Sequence, residues 1–188
     1  RRELIEFLKK AGAEERIVRH RTAEVRLRVL GSDGRPVRNR QVTVRQVRHR
    51  FLFGCNAYAL GRCGDAAAER AYRRRFAALL NYATLPFYWG GYEPAEGDTQ
   101  GRRLAAMARW CAARGIRAKG HPLCWHEVVP AWLPGRALDE VRRLQLGRIA
   151  RDVGEHRRAV AAWDVVNEAV VMPRYPQPDN PVRRLCRR

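Results

Sequence analysis

Lysine is almost missing from this chain: Lys9, Lys10 and Lys119 are its only examples among 38 basic residues, so arginine carries the net charge of +19. The arginines are spread through every segment. No stretch interleaves basic and aromatic side chains on one face, as binding of a nucleic-acid strand requires. With the frequent alanine and glycine, that spread reads as a compositional bias, and no nucleic-acid partner is expected. Long apolar runs are absent too. None approaches the ~20 residues that cross a bilayer as a helix, so no membrane partner is expected. The opening Arg1-Arg2-Glu3-Leu4 lacks the basic start, apolar stretch and cleavage site of a secretory signal. Cysteine is sparse and unpaired in pattern: Cys55, Cys63, Cys111, Cys124 and Cys186 are odd in number and include no Cys-x-x-Cys. This argues neither for a disulfide framework nor for a zinc site, and reads as mostly small buried hydrophobes.

What is present alternates in period. Leu4, Ile5 and Leu8 fall at helical spacing within residues 1 to 16. Val25, Leu27 and Val29 then alternate with charged residues, Ser32-Asp33-Gly34 supplies a turn, and Val42, Val44 and Val47 resume the alternation. The spacing predicts a small β-unit, a hairpin or meander, which makes residues 1–50 a unit of their own. From residue 51 onward, apolar runs and helical stretches take turns: Phe51 to Cys55 apolar, Ala66 to Leu80 helical, Tyr82 to Leu85 extended, Arg102 to Arg114 helical with Gly115 as its stop, Ile116 to Gly120 extended, Leu138 to His156 helical, and Val160 to Val166 extended. Such alternation implies right-handed βαβ units and a parallel sheet of four strands, an α/β fold.

Two stretches carry chemistry. Trp163-Asp164-Val165-Val166-Asn167-Glu168 is an apolar strand that ends in an amide and a carboxyl group. Polar residues at the carboxyl ends of parallel strands are disproportionately functional. A carboxyl beside tryptophan and valines is expected to be desolvated, which favours its protonated form and suits a general acid. A capping Asn-Glu pair at a strand end would read almost the same. Gly120-His121-Pro122-Leu123-Cys124-Trp125-His126, followed by Pro130-Ala131-Trp132, sits at the end of the preceding strand and joins hydrogen-bonding imidazoles to stacking indoles. A pyranose, polar at its edges and apolar on its faces, asks for that combination. His126-Glu127-Val128-Val129-Pro130 fails the His-Glu-x-x-His zinc pattern at its last position, so no metal is expected.

Together these two stretches, in this order, resemble family 10 of the glycoside hydrolases, the endo-β-1,4-xylanase family. The resemblance extends back through Tyr88-Trp89-Gly90-Gly91-Tyr92-Glu93-Pro94-Ala95-Glu96-Gly97 and to residues 23 to 55, which are similar to a presequence of some bacterial members. It implies a (β/α)₈ barrel, of which residues 51–188 form the N-terminal half, about four βα units. The full barrel takes ~250 residues. It also implies hydrolysis of a β-1,4-linked polysaccharide, xylan foremost, by a retaining mechanism that needs no cofactor. Glu168 becomes the acid/base, and Asn167 binds the sugar 2-hydroxyl. His121, Trp125, His126, Trp89 and Trp132 become substrate-binding residues.

Two departures matter. Thr84, Leu85 and Tyr88 stand where the family carries a Glu-Asn pair and a Lys that recognise the sugar on the non-reducing side, and Val128 stands where many members have Gln. The nucleophilic glutamate of the family lies on a later strand. Glu93, Glu96 and Glu127 are the nearby alternatives here, each in a loop, so the 188 residues read as a fragment, inactive alone. A polymeric substrate makes a secreted or periplasmic location the expectation. The competing reading is an inactive carbohydrate-binding scaffold derived from such an enzyme.

Overall fold

The computed structural model describes residues 2–47, 49–170 and 181–186. The chain divides into two compact units, Arg1–His49 and Arg50–Arg188.

In the first unit, the single helix expected over 1 to 16 is two: α1 (Arg2–Lys10) and α2 (Ala13–Arg21). Gly12 separates them with φ +64, a left-handed backbone that breaks the helical run without a Cβ clash. The expected β-unit does not form among the described residues. Between residues 22 and 47 the chain makes only an isolated antiparallel bridge, Leu30 with Pro36. The turn beneath it is closed by Gly31 N–H to Arg35 O at 2.8 Å and Val37 N–H to Val29 O at 3.0 Å. The cause is visible in the alternating valines. Val25, Val42, Val44 and Val47 are 70, 52, 69 and 82% exposed. A period-two pattern makes a stable strand only where one face has apolar surface to cover it.

The second unit is a four-stranded parallel sheet in the order β1 (Gly54–Asn56), β2 (Tyr82–Pro86), β3 (Arg117–His121), β4 (Val160–Trp163). Between the strands run α3 (Ala66–Leu79), the short α4 (Trp89–Tyr92), α5 (Gly101–Ala112) and α6 (Leu138–His156), and α7 (Pro181–Cys186) closes the described chain. This is a partial α/β barrel. Asp65 caps α3 by accepting from the N–H groups of Ala67 and Ala68, both at 2.8 Å. Leu104, Met107, Ala108 and Cys111 give α5 its buried face, spaced as a helix requires. That face meets Ala83, Leu85 and Phe87 from β2 and its exit and Ala118 from β3, forming the main core. Cys111 and Cys124 are buried as expected, whereas Cys55 is exposed because β1 is an edge strand.

The outermost strand is shorter than its apolar run suggests, and a register shift in its pairing explains where its residues point. Ala118 pairs with Val160, but Lys119 pairs with Ala162 and Gly120 with Trp163. One extra residue on β4 therefore turns both Val160 and Trp163 toward the core, although three positions apart they would otherwise face opposite ways. Glycine is required opposite the indole: a Cβ on Gly120 would lie 2.2 Å from the Trp163 ring.

Candidate active site

Past the bulge, β3 and β4 remain in register. Asp164 N–H donates to Gly120 O at 3.1 Å, Leu123 N–H to Asp164 O at 2.9 Å, and Asn167 N–H to Cys124 O at 2.9 Å. Lys119 and His121 lie two apart on one face of β3, and the Gly120–Trp163 pairing brings Asp164 beside them. His121 Nδ1 is 2.6 Å and Lys119 Nζ 2.7 Å from the same oxygen, Asp164 Oδ2. Burial acts to raise the Asp164 carboxyl, but the hydrogen bonds from Lys119 and then His121 outweigh it and hold it below the usual carboxylate range. The Asp164 carboxylate fixes the imidazole ring of His121.

Four residues downstream, Trp125 reaches the carboxyl at the end of the fourth strand. Its indole N–H donates to Glu168 Oε2 at 2.9 Å. Glu168 has φ +55, a left-handed backbone uncommon for a residue with a side chain, and such outliers gather at functional sites. The desolvation expected from its valine neighbours is not met. Val165 and Val166 are 59 and 44% exposed and Glu168 is itself exposed, beyond the end of β4, an outer strand of the described sheet. Its Oε2 is held, and the rest of the carboxyl faces solvent. Tyr88 completes the group: its ring meets His121 edge-on at 5.3 Å between centroids and Trp125 at 5.5 Å, and its hydroxyl lies 3.0 Å from that of Tyr58.

The other expected sugar-binding residues gather elsewhere. Trp89 is 3% exposed, and its indole N–H donates to Glu93 Oε2 at 3.0 Å. Trp132 meets Trp89 edge-on at 5.9 Å and donates to the Glu93 carbonyl at 3.0 Å. His126 is fully buried, its Nε2 2.8 Å from Glu127 Oε1. The structure thus joins His121 and Trp125 to Glu168, with Asn167 adjacent in the chain. Trp89, Trp132 and His126 support the loops behind them.

The three alternative carboxylates are committed as well. Glu96 pairs with Arg136 at 2.5 Å and Glu127 with His126. Glu93 receives Arg151 Nη2 at 2.9 Å and the Gly97 N–H at 2.9 Å. Burial acts to raise Glu93, but Arg151, the Gly97 N–H and Trp89 outweigh it and lower its pKa. A carboxylate depressed in the folded state adds stability that is complete above its unfolded pKa, about 4.3, and is lost as pH falls through the folded value. Urea unfolding between neutral pH and pH 3 should therefore show a steep acid loss of stability that is shallower in Glu93→Gln; identical pH profiles would remove Glu93 as its source.

Sequence reasoning missed Tyr58, Lys119 and the role of Asp164, since a single tyrosine or a charge within a strand carries no motif. It also missed how α6 holds the site. After Val141 in its first turn, the buried residues of that helix are polar: Gln145, Arg148, Asp152 and His156. Gln145 Nε2 donates to Leu123 O at 2.9 Å, and Arg148, 2% exposed, donates to the carbonyls of Phe87, Pro122 and Leu123. These are the exits of β2 and β3 that carry Tyr88 and Trp125.

Known proteins resemble this chain in sequence and in fold. The pattern of glycosyl hydrolase family 10 matches residues 51–178. Endo-1,4-beta-xylanase B of Paenibacillus barcinonensis is 39% identical over 83 residues, 41% of this chain and 25% of that protein. Anti-sigma-I factor RsgI6 of Acetivibrio thermocellus is 29% identical over 164 residues, 84% of this chain and 21% of that protein. The chain thus spans a quarter or less of the length of these relatives. The crystal structure of a glycosylated endo-beta-1,4-xylanase from Gloeophyllum trabeum shares the fold, with a TM-score of 0.59 and 19% identity, covering 69% of this chain and 42% of that one.

Proposed function

We propose, from the premise that this chain belongs to glycosyl hydrolase family 10, that it supplies the acid/base half of a retaining β-1,4-glycanase acting on xylan. The observation that carries this is the Trp125–Glu168 hydrogen bond, formed at the carboxyl ends of the third and fourth parallel strands beside the His121–Asp164 pair. Glu168 protonates the leaving glycosidic oxygen and then, as its carboxylate, draws a proton from the water that releases the product. Asn167 hydrogen-bonds the 2-hydroxyl of the sugar at the cleavage point. His121, oriented by Asp164, binds the same sugar, and Trp125 both stacks on it and steers Glu168. Trp89, Trp132 and His126 act indirectly by shaping the loop.

The attacking carboxylate is the glutamate that the family carries on a later strand, set ~5–5.5 Å from Glu168 as retention requires, while Glu93, Glu96 and Glu127 are held in other pairs. The 188 residues alone are accordingly expected to release no reducing sugar from β-1,4-xylan, whereas the same residues joined to the remaining half of a family barrel release xylo-oligosaccharides. Proton NMR of the first products should show the β-anomer. An initial α-anomer, or turnover by the 188 residues that Glu168→Ala abolishes, would overturn the division of labour between the two halves.

A further inference from the structure

The strand ends hold two tyrosines that the reaction as described does not use, beside the tryptophan that it does. Tyr58 follows β1 by two residues, Tyr88 follows β2 by two, and Trp125 follows β3 by four. All three are partly exposed. Contacts run unbroken from Tyr58 to the carboxyl group: the Tyr58 and Tyr88 hydroxyls lie 3.0 Å apart with their rings edge-on at 5.7 Å, Tyr88 meets Trp125 at 5.5 Å, and Trp125 donates to Glu168.

We infer that Tyr58 and Tyr88 form a specificity-determining wall that binds a neutral pyranose of a β-1,4-linked chain, one sugar removed from the bond that Glu168 protonates. The inference rests on the reading of Glu168 as the sugar-facing acid. Its grounds are chemical. Family 10 recognises the non-reducing-side sugar with a Glu-Asn pair and a Lys, and this chain has Thr84, Leu85 and Tyr88 there. Leu85 is fully buried in the helix-facing core and Thr84 is 9% exposed, so neither offers a replacement. What stands at the exposed end of that strand is the Tyr88 phenol.

Partly exposed aromatic faces cover the C–H faces of a pyranose, and phenolic hydroxyls meet its edge. Two hydroxyls bonded to each other spend one proton between them and present the other outward, so the pair acts as one donor with spare acceptor capacity. Burial, and then the bond to Tyr88, push the Tyr58 phenol well above its ordinary value, so that hydroxyl keeps its proton at working pH. A wall without formal charge selects uncharged sugars and needs no ion pair to hold them.

The test is titration of the full 188-residue chain with xylotriose and with cellotriose, followed by tryptophan fluorescence and calorimetry. Tyr58→Phe and Tyr88→Phe are each expected to weaken binding ~3- to 10-fold, the range for one lost hydrogen bond. The double variant should be little worse than either single one, because the two hydroxyls act as a unit. Affinity should not change between low and high salt, as it would for an ion-paired ligand. Tyr72→Phe, on α3 against Phe76, controls for general effects of removing a phenol. Wild-type binding with both single variants unaffected, or strictly additive losses in the double variant, overturns the wall and leaves the role of Glu168 standing. Binding of neither sugar by the wild-type chain overturns the wall, while the role of Glu168 is decided separately by Glu168→Gln in the complete barrel.

Discussion

Glu168→Gln, in a polypeptide that carries the complete barrel, is expected to lower xylan hydrolysis by roughly 10²- to 10⁴-fold, the contribution typical of a positioned general acid–base group. The substitution is close to isosteric. Its amide oxygen can still accept the Trp125 indole N–H that holds Glu168 Oε2 at 2.9 Å, so side-chain position is kept and the transferable proton is lost. Aryl xylosides with good leaving groups depend little on protonation, and their first step should be far less affected. A burst of aryl alcohol followed by slow turnover would then mark accumulation of the glycosyl-enzyme, which lacks the base to activate water. Xylan turnover equal to wild type in Glu168→Gln would remove this residue from the mechanism.

The largest effect on stability is expected at Arg148, far from any motif. Its side chain is 2% exposed and that of its partner Asp152 fully buried, with Nε to Oδ2 at 3.1 Å. Arg148→Met removes the donors to the Phe87, Pro122 and Leu123 carbonyls and strips a buried carboxylate of one of its two cations, the other being Arg151. Breaking a buried pair from one side costs about 3–5 kcal/mol. For a chain of this size that corresponds to a fall in Tm of about 10 °C. Arg148→Met/Asp152→Asn, which removes both charges, should recover part of the loss, because the uncompensated carboxylate is the costly element. A single variant that melts with the wild type would show that the three carbonyls and Asp152 find other partners.

The second residue pair of the site illustrates how far pattern alone reaches. Glu168 and Asn167 were legible because an apolar strand ending in polar residues is a local signal, and the His121 to Trp125 stretch because its residue types are rare together. Asp164 was not, although it lies inside the same motif. Its importance depends on the one-residue slip between β3 and β4, which places it beside His121 and Lys119. A slip of that kind is set by how Trp163 packs over Gly120 and has no signature in either strand read singly.

Composition and periodicity by themselves determined the helix over Leu138–His156, the parallel order of four strands and the two motifs at their ends, because each rests on residues close in sequence. Only the tertiary structure decided that residues 22–47 hold no strand beyond an isolated bridge, since an alternating pattern needs a covering surface to become one. It alone also decided that α6 turns a polar face inward. The sequence marks the helix, but hydrophobic periodicity cannot show that Gln145 and Arg148 face inward to bind carbonyls at strand ends. Those carbonyls belong to residues 22 to 61 positions away, and their need for donors exists only once the strands have been brought together.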